Sequence, residues 1–378
     1  MNIVLVGAGL AAQRCCQALR RRGHDGRITI VGDEGRLPYD RPPLSKERLA
    51  GALDDAALAL RPRGWYDEHD VELLLDDPAV ALDPDGRSVR TAGGAAIGYD
   101  RVLVATGARP LRLPGTERFA NVHGLRSAAD AGALAACLRP GARLAIAGAG
   151  FIGQEVAATA RARGVEVTLI EAAPTPLHAQ LGARLGGWFA RLHRDAGVRV
   201  LLATRIERFH GEARTLHALE LDDGTRLECD ALLAGVGVRP DTAWLEPAGL
   251  PAGGIPAGPD GATALPGVFA AGDAALGHHW EAAVAHAVAA AHGMLGLDPP
   301  AHPRPSFWSD QYGIRIQFAG DARGADAVEL DGDPDARDFT ALFLREGVVR
   351  AGLLVGRPRS LPALRDQLDQ PLPDRRTA

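Results

Sequence analysis

Two glycine-rich runs carry the most legible chemistry in this chain. Gly7-Ala8-Gly9-Leu10-Ala11-Ala12 follows the apolar run Ile3–Val6, and Gly148-Ala149-Gly150-Phe151-Ile152-Gly153 follows Leu144–Ala147, 141 positions later. A glycine turn between a buried strand and a helix lets a pyrophosphate approach the backbone and meet the N–H groups of the helix's first turn. An acidic residue closes the next apolar strand in both cases: Asp33 with Glu34 after Arg27–Val31, and Glu171 after Glu166–Ile170. A carboxylate there accepts hydrogen bonds from an adenosine ribose. One such unit binds one dinucleotide. Two units therefore imply two dinucleotides, most simply a flavin and a nicotinamide that exchange electrons.

A second chemical signal is a single lysine. Of 42 basic residues only Lys46 is lysine, and the remaining 41 are arginine. A chain that uses arginine elsewhere and keeps lysine here implies a need for a compact ammonium on a flexible stem, which a planar guanidinium does not replace. Glu171 bears on the nicotinamide. No lysine or arginine follows it before Arg184, so the carboxylate would accept from a 2′-OH and repel a 2′-phosphate, favouring NADH over NADPH. The four cysteines, Cys15, Cys16, Cys137 and Cys229, form no C-x-x-C pair and no zinc-like cluster. Cys15 and Cys16 read as small packing residues on the helix after the first glycine turn. His278, His279, His286 and His292 lack the spacing and the carboxylate or thiol partners of a chelate, so no metal is expected.

These residues need several elements to hold them. At 378 residues the chain exceeds one ordinary core, so two or three domains are expected. With 46% hydrophobic and 24% charged residues and a net charge of −5, it is globular and lacks the basic footprint of a nucleic-acid binder. No stretch approaches the ~20 uninterrupted apolar residues of a membrane span. Met1–Ala12 lacks the basic start of a signal peptide and is better read as strand and turn, which points to the cytoplasm. The first helix is expected over Ala11–Arg22, the second-turn helix over Gln154–Arg163, and a third near Leu181–Ala196. Pro38, Pro42 and Pro43 stiffen the segment before Leu44-Ser45-Lys46, where another helix is expected to start. An Ala-rich helix near Glu281–Leu295 precedes a linker with Pro299, Pro300, Pro303 and Pro305. Five strand-like runs between Phe307 and Val355, a helix near Leu361–Leu368 and a Pro/Arg tail complete the chain.

The segment Pro38–Glu47, the turn Ala105-Thr106-Gly107, the turn Ala271-Gly272-Asp273 and the run Phe307-Trp308-Ser309-Asp310-Gln311 occur in this order around the two glycine motifs. Together they resemble the FAD-dependent ferredoxin reductases of bacterial oxygenase systems, relatives of glutathione reductase that serve cytochromes P450 and Rieske-type dioxygenases. The resemblance covers nearly the whole chain. It implies an α/β fold with two Rossmann-like dinucleotide-binding domains and a small α+β C-terminal domain. The FAD domain would comprise residues 1–115 and 235–300, the inserted NAD(H) domain 116–234, and the interface domain 301–378. Departures from the family pattern are Ala12 for the third glycine, an unusual Gly258–Leu265 stretch, His279-Trp280-Glu281-Ala282 after the Gly-Asp turn, and a short C-terminus.

By that resemblance Gly7, Gly9 and Ala11 would touch the FAD pyrophosphate and Asp33 its ribose. Asp273 would reach the ribityl-phosphate region, and Arg126 would be a further FAD contact. Gly148, Gly150 and Gly153, with Phe151 and Ile152, would hold the NAD pyrophosphate, and Glu171 its ribose. Arg41, Ala79, Ala105, Thr106, Gly107, Gly235, Gly237, Gly272, Glu281 and Ala283 would fill other cofactor-binding positions. The catalytic set would be Lys46 close to the flavin, Glu155 under the nicotinamide, and Trp308 flanking the isoalloxazine.

The implied activity takes hydride from NADH to FAD and passes single electrons to a [2Fe–2S] ferredoxin. Disulfide reductases of the same fold use a cysteine pair as the next carrier, and its absence here sends the electrons outside the chain. Arg61, Arg63, Arg304 and Arg315 could form a basic rim for an acidic ferredoxin. No nucleic-acid or membrane partner is expected, and the chain would be a monomer or weak homodimer. Two alternatives stay open: a redox-sensing FAD/NADH-binding protein similar to the apoptosis-inducing flavoproteins, and a reductase of rubredoxin or quinone.

Overall fold

Ile3–Val6 is buried along its whole length, as are Ile28–Val31 and Val268–Ala270. Strands with both faces covered belong inside a parallel sheet flanked by two layers. The computed structural model describes residues 1–277, 279–301 and 304–372. Expectations placed on His278, on Pro303 and on the Pro/Arg tail from 373 onward lie outside the described residues. By internal contacts the chain forms two units: Met1–Asp40, Asp55–Arg109 and Val238–Pro303 in the first, and Arg41–Asp54, Pro110–Gly237 and Arg304–Ala378 in the second.

The first unit is built on a five-stranded parallel sheet in the order Val268–Ala270, Arg101–Val104, Ile3–Val6, Ile28–Val31, Val71–Leu74. Leu5 stands opposite Ile30 on one side and Leu103 on the other. The period of two sends Ile3 and Leu5 to one face, where they pack with Cys15, Cys16 and Leu19 of the helix Leu10–Arg21 and with Ala287, Ala290 and Ala291 of the helix Trp280–Met294. Val4 and Val6 face the other side. There they meet Leu82 and Val89 of a small antiparallel sheet, Ala79–Asp83, Ser88–Thr91 and Ala96–Gly98.

The second unit repeats this plan. Its parallel sheet runs Arg199–Leu201, Glu166–Ile170, Arg143–Ala147, Ala231–Ala234, Val122–His123. Leu144 and Ile146 pack with Val156, Ala157 and Ala160 of the helix Phe151–Ala162, while Ala145 and Ala147 face the hairpin strands at Leu216, Leu219 and Leu221. A five-stranded antiparallel sheet follows, in the order Ser306–Gln311, Ile314–Gly320, Val348–Val355, Asp338–Arg345, Ala327–Asp333. The helix His178–Asp195 lays Leu181, Leu185, Trp188 and Phe189 against Phe318, Phe339 and Phe343 of that sheet.

Most expected elements stand within one to three residues of their place, the usual spread at fraying ends. Three differences matter. The segment expected to start a helix at Leu44 is a 3-10 turn, Pro42–Ser45, then a break at Lys46 (φ −122°, ψ −104°), then one helical turn, Glu47–Ala50. The helix His178–Asp195 starts earlier than expected and is interrupted at Gly182, whose φ of 72° is outside the helical range. The strands Ala96–Gly98, Ala108–Pro110, Val122–His123, Ile206–Glu212, Arg226–Glu228 and Val238–Pro240 are added. They are short or mostly exposed, so they lack the apolar period that marks a strand in sequence.

Arg41–Asp54 packs with the second unit although first-unit residues flank it on both sides. Leu49 is the apolar anchor, fully buried among Leu134, Leu144 and Val156. Burial of one leucine contributes about 1.5–3 kcal/mol. Two backbone carbonyls add polar ties: Thr159 Oγ1 donates to Ser45 O at 2.8 Å, and Arg163 Nη1 donates to Leu49 O at 2.7 Å.

Candidate active site

Both glycine turns have the geometry a dinucleotide requires. A Cβ at Gly7, whose φ is +107°, would lie 2.2 Å from the Ala105 carbonyl oxygen, and one at Gly148 (φ +98°) would lie 2.4 Å from that of Gly235. No side chain fits at either position. A Cβ at Gly153 would be 2.2 Å from the Gly148 carbonyl oxygen, so this third glycine lets the helix approach the turn. Gly9 and Gly150 differ, because a Cβ there meets nothing within 4 Å among the described residues. These open positions are the N-caps of their helices, and neither helix has a side-chain cap. Helix-start N–H donors beside open space fit a pyrophosphate in each unit.

In the first unit the turn gathers several expected FAD positions. A Cβ at Gly272 would lie 3.5 Å from both the Ala11 and the Ala283 methyl carbons, so this position adjoins both of the others. Thr106 Oγ1 donates to the Asp241 carbonyl at 2.6 Å, and Gly107 takes φ +75°. Asp273 lies in the 3-10 turn Gly272–Ala275, Glu281 in the first turn of the following helix, and Ala79 at the start of its strand. Half-exposed Asp33 has Arg109 Nη2 at 3.8 Å, while Arg109 Nε is held by Asp241 at 2.8 Å. Arg109 belongs to no recognised motif, so its approach to Asp33 is visible only in the fold.

In the second unit Glu171 is already oriented onto the glycine turn. Its Oε2 accepts from the Ala149 N–H at 2.7 Å and its Oε1 from the Ala173 N–H at 2.8 Å. Each oxygen keeps a lone pair, so the carboxylate can still accept from ribose hydroxyls. Gly235 adjoins the turn, Gly237 takes φ +110°, and Ile152 is 45% exposed. The Phe151 side chain packs toward the C-terminal sheet. Its ring packs edge-on against Phe307 at 4.7 Å and Phe189 at 6.4 Å, which makes it a bridge to the C-terminal sheet. Arg41 Nη1 donates to the Arg126 carbonyl, so two expected FAD contacts meet within this unit.

Lys46 and Glu155 also come together here. Lys46 Nζ lies 3.1 Å from Glu155 Oε2, with the two side chains 12% and 4% exposed. Ser45 Oγ donates to the same oxygen at 2.5 Å, and Ser309 Oγ donates to Oε1 at 2.7 Å. A buried charge is tolerated when donors satisfy both its oxygens, as these do. Next to Glu155, Gln154 Nε2 donates to the Ala149 carbonyl at 2.9 Å, and its Oε1 faces His193 Nε2 at 3.1 Å. An amide oxygen only accepts, so His193 carries its proton on Nε2. Its Nδ1 then accepts from the Tyr312 hydroxyl at 2.7 Å. Burial pushes the His193 imidazole down to about 4.

Sequence reasoning assigns no site role to Ser45, Gln154, His193, Ser309, Gln311 or Tyr312, although Ser45, Ser309 and Gln311 lie in the segments that carry the resemblance. A usable signal was present: two adjacent polar residues, Gln154 and Glu155, stand on the apolar side of an Ala-rich helix. Trp308 is half-buried on the strand Ser306–Gln311, on the face opposite Ser309 and Gln311. Of the arginines considered for a basic rim, Arg63 pairs with Asp67, Arg304 with Asp369 and Arg315 with Asp310. Their charges are thus partly compensated. His292 bridges Arg22 Nε and the Asp298 carbonyl, a packing role. Among the described residues, no group of three or more His, Cys, Asp or Glu could hold a metal ion.

Comparisons with known proteins agree along the whole length. The family described as pyridine nucleotide-disulphide oxidoreductase matches residues 1–291, and the family described as reductase C-terminal matches 306–377. The chain is 36% identical to the ferredoxin–NAD(+) reductase component of the biphenyl dioxygenase system of Paraburkholderia xenovorans, over 95% of this chain and 90% of that protein. It is 34% identical to rhodocoxin reductase of Rhodococcus erythropolis, over 99% and 90%. Among solved structures it superposes on the reductase of the covalent putidaredoxin reductase–putidaredoxin complex with a TM-score of 0.92 and 33% identity, covering 97% of this chain and 94% of that one.

Proposed function

The chain belongs to the pyridine nucleotide-disulphide oxidoreductase family, and from that premise we propose that it is an FAD-dependent NADH:ferredoxin oxidoreductase of an oxygenase system. The observation that carries the reading is the pair of open glycine turns, one per unit, in a chain whose thiols form no pair. Cys15, Cys16 and Cys229 are buried, all four cysteines are free, and burial raises the pKa of each. A thiol held protonated in a core is a poor electron carrier. Electrons that reach the chain must leave it for a separate acceptor. We take that acceptor to be a [2Fe–2S] ferredoxin serving a cytochrome P450 or a Rieske-type oxygenase, and the chain to be a monomer or weak homodimer.

FAD, when bound, supplies hydride acceptance from a nicotinamide and release of electrons one at a time. The protein binds, orients and manages charge. Gly7, Gly9 and Ala11, with Asp33, Ala79, Ala105, Thr106, Gly107, Gly272, Asp273, Glu281 and Ala283, would hold FAD, joined by Arg41 and Arg126. Gly148, Gly150, Phe151, Ile152, Gly153, Gly235 and Gly237 would hold the NADH pyrophosphate, with Glu171 on its ribose. Lys46 and Glu155 would stand at the nicotinamide, where the ammonium offsets negative charge and the carboxylate accepts from the carboxamide. Trp308 would border the exposed flavin edge where ferredoxin arrives. In this reading the FAD domain is 1–115 with 235–300, the NAD(H) domain 116–234, and the interface domain 301–378. Among the described residues no helix is long and apolar enough to cross a membrane.

The test is anaerobic titration of the yellow protein with NADH, then cytochrome c reduction with and without a small [2Fe–2S] ferredoxin. The expected result is flavin bleaching by one equivalent of NADH and ferredoxin-dependent cytochrome c reduction that falls as salt rises, as for a small charged interface. Trp308→Ala should slow ferredoxin reduction more than flavin reduction. Equal loss in both half-reactions would move Trp308 to the nicotinamide. No stimulation by any [2Fe–2S] ferredoxin would leave rubredoxin, quinone or a purely binding role as the surviving readings.

A further inference from the structure

Glu155 is held by more than its lysine. Its Oε1 receives one hydrogen bond, from Ser309 Oγ at 2.7 Å. Gln311 Nε2 donates to the same Ser309 oxygen at 3.1 Å. Ser309, Gln311 and Glu155 are 0%, 1% and 3% exposed, so water does not compete for these bonds. A serine hydroxyl has one proton. With the Gln311 amide occupying a lone pair of the oxygen, that proton is directed at Glu155. On the other side of the carboxylate, Ser45 Oγ and Lys46 Nζ both meet Oε2.

The two oxygens are therefore held from separate parts of the second unit. Oε2 is gripped by the 3-10 turn Pro42–Ser45 and the break that follows it. Oε1 is gripped by the first strand of the C-terminal sheet. A carboxylate bonded at one oxygen only can swing about its last torsion, which is broad and roughly two-fold. Bonded at both, it has one orientation.

We propose that Ser309 is a positioning residue for hydride transfer: through its bond to Glu155 Oε1, backed by Gln311, it fixes the carboxylate plane against which the nicotinamide carboxamide is set. The inference rests on the reading that Glu155 meets the nicotinamide. Under it the C-terminal sheet contributes to the nicotinamide side of the reaction as well as to the acceptor side. Ser309 and Trp308 are neighbours in sequence, and strand alternation sends them to opposite faces. One strand would thus serve both half-reactions.

The experiment uses FAD-loaded enzyme and a double-mutant cycle of Ser309→Ala and Glu155→Gln. It reads the limiting rate of flavin reduction by NADH in stopped flow and the dissociation constant of NAD+ by titration of the oxidised protein. FAD content and thermal midpoint serve as checks on the fold. Ser309→Ala is expected to slow the limiting rate about 10-fold or more, a typical cost of misplacing a reacting partner. The NAD+ dissociation constant should change far less, and Ser309→Thr should restore most of the rate. In the Glu155→Gln background, Ser309→Ala should cost little further, because its effect travels through Glu155. If Ser309→Ala costs the same factor in both backgrounds, the serine acts independently and the inference is overturned. If Glu155→Gln itself leaves flavin reduction at the wild-type rate, it is the placing of Glu155 at the nicotinamide that fails. Should Ser309→Ala lose FAD or fold, Gln311→Met keeps the serine and removes its backing donor. An unchanged limiting rate in that variant would count against the proposal in the same way.

Discussion

Lys46 Nζ and Glu155 Oε2 lie 3.1 Å apart although 109 residues separate them in the chain. Their side chains are 12% and 4% exposed, so the ammonium is largely desolvated and has a fixed partner. A guanidinium would bring five donors into a pocket arranged for a compact head, and any that stayed unpaired would each cost about 1–3 kcal/mol. Lys46→Arg should therefore slow flavin reduction by NADH about 10²-fold despite keeping the charge. Lys46→Met should slow it at least as much. Wild-type stopped-flow rates in both variants would show that the chain's single lysine has no catalytic part.

In the proposed reading Glu171 sets the choice of nicotinamide. Its two oxygens accept from the N–H groups of Ala149 and Ala173, which places the negative charge against the glycine turn. A 2′-phosphate brought there meets like charge, so kcat/KM for NADH should exceed that for NADPH by about 10-fold or more. Glu171→Ala should narrow the ratio, and Glu171→Arg should narrow it further. A wild-type preference for NADPH would show that the ribose is not recognised at this position.

The thiols should be dispensable. Burial raises the pKa of Cys16 and of Cys229 to about 12 and pushes that of Cys15 well up. Replacing all four cysteines by alanine should leave flavin reduction by NADH intact and cost about 1 kcal/mol of stability at each buried site. Alkylation of Cys137, the one cysteine that is not fully buried, should also be without effect. Loss of electron transfer after alkylation, with FAD retained, would restore a thiol to the mechanism.

His193 should make the protein acid-sensitive. Its imidazole is held near 4 in the fold by burial, and it titrates near ~6.5 in an unfolded chain. The folded value is the depressed one, so its contribution is complete above about pH 6.5 and lost as pH falls toward 4, in total about 3 kcal/mol. His193→Gln should lower stability at neutral pH and flatten the decline between pH 6.5 and 4. The check is urea unfolding of both proteins across that range. Parallel pH profiles would assign the acid sensitivity to other groups.

Local sequence determined the two strand–glycine turn–helix units, their terminal acids, and the run of antiparallel strands at the end. Each dinucleotide unit depends on residues within about 30 positions of one another: a short continuous apolar strand, a glycine-rich turn, and a carboxylate at the next strand's end. Neighbouring positions carry that information, so it can be read directly. The resemblance of Pro38–Glu47 and Phe307–Gln311 to a known family extended the reading to residue roles. It did not reveal what holds those residues.

Tertiary structure decided the rest. Arg41–Asp54 packs with the second unit, where Leu49 joins a core and Thr159 and Arg163, in and just after the helix Phe151–Ala162, donate to its carbonyls. The bonds of Glu155 with Ser45 and Ser309 span 110 and 154 positions. Serine, glutamine and histidine have no periodic signature. Whether such a side chain ends in water or inside a buried network depends on which strand the fold sets against which helix, and that is settled only when the sheets and helices pack.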